Sequence, residues 1–187
     1  MSKAFPLGAT DPYSIVVTTN GVAGSVMTSN YFTIENALVH ELLDTQQPKF
    51  IDTRSITALS YFEGNDVTLA TSTAYFNTLS PLYNTPIAVS YRALVGNARN
   101  TEKSASIVKI ETTADPNADL IIPFILNVRD ILDSYASPSS PYYNPSLPVN
   151  MYLFGGFTAQ YDIQIAIYKL VPLMIGITVL IVLVITF

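Results

Sequence analysis

A single imidazole, His40, lies in a run with carboxylates at Glu35, Glu41 and Asp44. These residues are the raw material for acid–base chemistry or cation binding. An imidazole exchanges protons near neutral pH, and two carboxylates three positions apart share a helical face on which a hard cation could rest. One histidine cannot supply a histidine metal cluster or a two-histidine relay. A chain without cysteine has no thiolate zinc site, no cysteine nucleophile and no disulfide. Asp115 and Asp119 precede an apolar run, where carboxylates accept the free N–H groups of a helix start. Gly155-Gly156, between Phe154 and Phe157, reads as a bulge or bend rather than a phosphate cradle. The expectation is a chain with no catalytic, cofactor or metal residues, with His40 on a solvated acidic helix face. An enzyme using serine or carboxylate chemistry at a membrane is the alternative, and it would need a cleft with a strongly perturbed carboxylate.

Residues 170–187 carry no charge, and thirteen of them are Leu, Ile, Val or Phe. At ~1.5 Å rise per residue they form a helix about 27 Å long, against a hydrocarbon layer of ~30 Å. At roughly 0.3–0.6 kcal/mol per apolar side chain, insertion gains on the order of 4–8 kcal/mol. A transmembrane helix over 169–187 is expected, anchored by Lys169, Leu170, Pro172, Leu180, Val184 and Phe187, with Pro172 in its first turn. Lys169 would snorkel to the headgroups, while Tyr161 and Tyr168 would form an interfacial belt. Gly176 has no small residue four positions away, so close helix pairing of the GxxxG kind is not encoded. Residues 1–14 lack an apolar signal core, so insertion is expected tail first, leaving residues 1–165 on the side of synthesis.

The elements ahead of the anchor read as mainly β: an antiparallel sheet or sandwich, jelly-roll-like, with one or two short helices. Asn20-Gly21 between residues 15–19 and 22–28 predicts a hairpin with a type I′ turn. Residues 34–43 place Ile34, Leu38 and Leu42 on one line behind Thr33, which predicts a short amphipathic helix with Glu35, His40, Glu41 and Asp44 on its polar face. Residues 55–62 and 67–76, around Glu63-Gly64-Asn65-Asp66, predict a second hairpin. Ile87, Val89, Tyr91, Ala93 and Val95 alternate with period two and predict a strand, followed by another over 107–112. Residues 120–135 lean to helix despite Pro123, and Tyr161, Ile163, Ile165 and Ile167 alternate like a last strand. The plan is an arm at 1–13, a β-rich domain at 14–136 with helices near 34–43 and 120–135, a proline-rich strap at 137–148, final strands and a juxtamembrane segment at 149–168, and the anchor.

Net charge is −5, with nine Lys plus Arg scattered singly. Without a basic patch to release counterions, nucleic acid is not an expected partner. Charged residues make up 12% of the chain, while tyrosine occurs twelve times, mostly expected in its ordinary strand role. The strap offers Pro138, Pro141, Tyr142, Tyr143, Pro145 and Pro148 as a contact surface for other protein subunits. A hydroxyl-rich, charge-poor domain with a proline arm and a tail anchor resembles, in layout, the membrane-anchored minor capsid proteins of icosahedral viruses with an internal lipid membrane. The resemblance implies a non-enzymatic structural protein, partnered by a lipid bilayer and neighbouring subunits and sited at the interface between virion membrane and capsid. A tail-anchored adaptor, or an accessory subunit of an organellar membrane complex, is the competing expectation.

Overall fold

The computed structural model describes residues 12–47, 49–113, 121–141, 143–155 and 157–186. The expectations for Asp115, Asp119, Tyr142, Gly156 and Phe187 lie outside these residues. Its framework is a four-stranded antiparallel sheet in the order β2-β5-β1-β6, from β1 (Tyr13–Thr18), β2 (Ile56–Thr57), β5 (Ala105–Ile110) and β6 (Asn150–Phe154). Along β1, Tyr13, Ile15 and Val17 are buried while Ser14, Val16 and Thr18 are half-buried, the period-two signature of a sheet covered on one face. The covering layer is α1 (Ser29–Gln46) and α4 (Ile121–Ala136). Tyr13 meets Phe124 of α4 edge to face, with ring centroids 5.3 Å apart. A small hairpin, β3 (Tyr61–Phe62) with β4 (Asn65–Asp66), and a helical lobe, α2 (Leu69–Phe76) and α3 (Pro86–Val95), complete the domain.

This is not the mainly β sandwich or jelly-roll that the sequence pattern predicts: 51% of the chain is helical and 15% strand. Two expected strands are helices because their start signals outweigh residue propensity. Thr68 and Thr85 each cap a helix, their hydroxyls accepting the N–H groups of Thr71 at 3.1 Å and Ala88 at 3.4 Å. Pro86 occupies the first position of α3, where its fixed φ favours a helix and no N–H is needed. The apparent alternation from Ile87 to Val95 conceals a helical line, Ala88, Tyr91 and Val95, and those three face the core. Tyrosine fills helical core positions too: Tyr31, Tyr75, Tyr91 and Tyr135 are all buried on helices.

Asn20 and Gly21 do adopt left-handed backbone, φ 53° and 76°, but no second strand follows. The chain turns instead into a short 3-10 segment, Ser25–Met27, and β1 pairs with β5 and β6. Thr28, not Thr33, caps the first long helix, its hydroxyl accepting from the Tyr31 N–H at 3.3 Å. The expected last strand through Tyr161, Ile163, Ile165 and Ile167 is instead the beginning of α5 (Thr158–Thr186). At the corner between β6 and α5, Gly155 has φ +89°, and a Cβ there would stand 2.7 Å from the Pro12 carbonyl oxygen, so only glycine fits.

Candidate functional site

The largest candidate is α5 itself. It spans 29 residues, about 43 Å at ~1.5 Å per residue, and is long and apolar enough to cross a membrane. Its most apolar 18-residue window has a mean hydropathy of 2.5 and no part buried within the protein. Such a surface in water would be a large exposed apolar patch. Thr178 and Thr186, its hydroxyl residues, donate to the carbonyls four positions back, at 2.8 and 2.6 Å, so these polar groups are satisfied inside the helix. Lys169, Leu170, Leu180 and Val184 all lie exposed along this helix, as does Tyr168.

Two features of α5 depart from the expected anchor. Its first turn is tied to the domain, because Arg129 on α4 grips Asp162 with two parallel hydrogen bonds of 2.7 and 2.8 Å. Tyr161, beside it, packs against the core rather than standing free in an aromatic belt. Pro172 is not in a first turn, since fourteen helical residues precede it. Its missing N–H leaves the Tyr168 carbonyl, next to Lys169, without a helical donor, and its ring crowds that carbonyl.

Inside the domain, the structure rearranges the acidic face expected on the first helix. Glu35 is fully buried, not solvated. Ser106 on β5 donates to Oε1 at 2.9 Å, Tyr31 donates to the same oxygen at 3.2 Å, and the Ser60 N–H donates to Oε2 at 2.7 Å. Tyr31 and Ser106 also bond to each other through their hydroxyls. Burial pushes the Glu35 carboxyl above the usual carboxylate range, and these hydrogen bonds offset only part of the effect. Tyr31 is likewise raised, by burial first and by the neighbouring Glu35 second. A perturbed carboxylate therefore exists, but none of the larger cavities is lined by Glu35. It joins α1, β5 and the segment before β3 instead of facing a substrate.

His40 is half exposed, and its Nε2 lies 2.8 Å from Asp66 Oδ1. Asn36 donates to the same oxygen at 2.9 Å, and the Tyr61 ring stands edge-on to the imidazole at a centroid distance of 5.9 Å. Burial disfavours the charged form of Asp66, but the bonds from Asn36 and His40 outweigh it and hold the carboxyl below its ordinary range. Asp66, with Asn36, lines an open groove of about 590 Å³ between α1 and the start of α2, together with Phe32 and Val67. Among the described residues no three His, Asp or Glu side chains converge as metal ligands, and Glu41 and Asp44 stay apart from any such set.

In the strap, Pro138, Pro141 and Pro145 are exposed, while Tyr143 and Pro148 are half-buried. Pro141, Tyr143 and Pro145 line a shallow groove together with Asn30, Thr33 and Ile34 of α1, so the strap lies along its own helix. Leu147 and Val149 enter the core. Glu35 was legible in hindsight, because Tyr31, Glu35, Leu38 and Leu42 form one helical line of which three members are apolar or aromatic. The Arg129–Asp162 tie had no local signal, its partners being 33 residues apart. No protein-family model and no curated protein matches this chain.

Proposed function

We propose that this protein is a membrane-anchored structural component, non-enzymatic, that holds a small charge-poor domain against a lipid bilayer and links the bilayer to a protein assembly. The observation that carries the reading is the unburied apolar length of α5, whose start is tied to the domain through Asp162 and Tyr161. Seven residues, 163–169, separate the tied Asp162 from the charge-free run. They span about 10 Å at ~1.5 Å each, close to the headgroup layer of one leaflet, roughly 5–8 Å. The domain thus has little freedom to stand off from the surface. A minor component between membrane and shell of a lipid-containing icosahedral virion is the setting that the layout resembles. The burial of Glu35 away from solvent favours this structural reading over the enzymatic one.

The test is flotation of the full chain with phosphatidylcholine vesicles. Wild type should float, and Leu180→Lys with Val184→Lys should not, each buried lysine costing roughly 2.5–3.5 kcal/mol. Flotation of the double variant at wild-type level would reject the anchor. Recovery of the chain from purified particles or membranes at a fixed ratio to another subunit would support the linking role, and a free monomer there would reject it.

A further inference from the structure

Among the described residues, Glu35 is the one carboxyl group sealed in the core. The hydroxyls around it close a triangle. Ser106 Oγ lies 2.9 Å from Glu35 Oε1, Tyr31 Oη lies 3.2 Å from the same oxygen, and the two hydroxyls bond to each other. Each of these contacts between oxygens needs a proton, and Tyr31 and Ser106 bring one apiece. An ionised Glu35 therefore leaves one side of the triangle without a proton. A proton on Oε1 completes the ring, running from Oε1 to Tyr31, from Tyr31 to Ser106 and from Ser106 back to Oε1. Oε2 then remains a carbonyl oxygen, and the Ser60 N–H donates to it at 2.7 Å.

Nothing around the ring is placed to balance a charge on it. Among the described residues the ion pairs are His40–Asp66 and Arg129–Asp162, both at the surface. Arg99 pairs with Ser106 across an isolated bridge, yet its guanidinium stacks on Phe76 at 4.1 Å and donates to Met27 Sδ at 3.3 Å. Lys109 on β5 is exposed. From α3 comes Tyr91, whose hydroxyl is bonded to the Leu59 carbonyl and to Ser72. Residues 58–62 bring no charged side chain. A buried carboxylate without a cation is costly, and the open side of the triangle adds to that cost.

The ring sits where three parts of the domain meet: Glu35 and Tyr31 on α1, Ser106 on β5, and Ser60 just before β3. Water reaches a buried charge most readily at such a joint, since the bonds between elements can part while each element keeps its own. We propose that Glu35 is a proton-operated lock in the core. As a neutral carboxylic acid it closes the ring that joins α1 to β5 and to residues 58–62, and release of its proton opens that joint to water while the sheet stays folded.

The full chain in a detergent without carbonyl groups tests this, and neither readout depends on membrane anchoring. Its infrared spectrum at neutral pH should contain a protonated carboxyl band that is missing from Glu35→Gln. Ser106→Ala keeps Glu35 and removes a ring partner, so it should shift that band. Absence of the band, or a band that both variants leave unmoved, overturns the proposal. Amide exchange is then compared at Ser60, bonded to Glu35, and at Val108, paired with Ile15 in the sheet. With intrinsic rates divided out, opening at Ser60 should rise about tenfold per pH unit above the ordinary glutamate range, until the folded carboxyl itself titrates, because one proton is released. Glu35→Gln should remove that rise. Low urea should leave exchange at Ser60 unchanged and accelerate it at Val108, since only global unfolding exposes much surface. A Ser60 amide that is flat with pH in the wild type, or that follows Val108 in urea, overturns the lock.

Discussion

Glu35 turns a residue expected in solvent into the polar centre of the core. Its carboxyl titrates higher in the folded than in the unfolded chain, so between those two values the folded state holds the extra proton. Stability from this group is therefore greatest below the ordinary glutamate range and is lost as pH rises through the folded value. Asp66, whose carboxyl is lowered, acts in the opposite sense, and its contribution disappears only as pH falls below the ordinary aspartate range. In thermal melts of the detergent-solubilised chain, Glu35→Gln should flatten the fall in Tm between mildly acidic and alkaline pH, since the amide keeps both hydrogen-bonding capacities without ionising. An unchanged pH slope in that variant would show that Glu35 does not set it. Glu35→Ala instead orphans the Ser60 N–H and takes from the Tyr31–Ser106 hydroxyl pair its shared acceptor, and at ~1–3 kcal/mol per buried unsatisfied group it should lower Tm at every pH.

The connection between domain and anchor is made by two elements crossing at one ion pair. The Arg129 and Asp162 side chains are 30% and 54% exposed, so the pair is worth only about 0.2–1 kcal/mol to folding. Arg129→Ala should accordingly leave Tm almost unchanged while raising amide exchange in the first two turns of α5. Protection equal to wild type there would mean that Tyr161 packing alone holds the helix. The strap behaves as an element of the domain as much as an arm. Because Leu147 is buried, removing residues 137–148 should destabilise the fold by about 2–5 kcal/mol, the range for losing a large core side chain, so substitutions at exposed Pro138, Pro141 and Pro145 test assembly more cleanly. A deletion variant that melts at the wild-type temperature would place Leu147 outside the core. Pro172 in the helix interior frees the carbonyl of Tyr168 beside Lys169, at the depth where the proposed anchor would meet headgroup water.

Over the whole molecule, apolar burial and apolar exposure are segregated. One continuous core joins the sheet, α1, α4 and the α2–α3 lobe, and aromatic rings knit the lobe: Tyr91 contacts Phe62, Tyr75 and Phe76 at 5.3–5.8 Å. Most of the apolar surface left outside is on α5, the outer lobe, and Tyr152 with Phe154 on β6. A domain cut free of α5 should therefore lose vesicle flotation and keep its cooperative melt, since α5 contributes little beyond Thr158 and Tyr161 to the core. Loss of cooperative unfolding on that truncation would mean that α5 belongs to the domain.

The apolar run of α5 from residue 170 onward was legible from composition, because a long apolar run makes its own backbone hydrogen bonds and needs no tertiary partner to be helical, whereas the first turns of α5, through Tyr161 and Ile167, read as a strand. Part of the expected strand, residues 107–110, the left-handed pair Asn20-Gly21 and the turn at Glu63-Gly64 were legible for the same reason: each rests on local backbone preference. What followed those turns was not local. Residues 69–76 and 86–95 have strand-like side chains, and their helices were decided by threonine caps acting with burial of Tyr91 against Phe62 and of Tyr75 against Tyr91. Glu35 lay on an apolar line whose significance depended on Ser60 and Ser106 arriving from far along the chain. Sequence by itself determined where the chain is apolar and where it turns. Tertiary structure decided which polar groups are buried and which apolar faces stay bare, because both depend on partners that only the folded packing brings together.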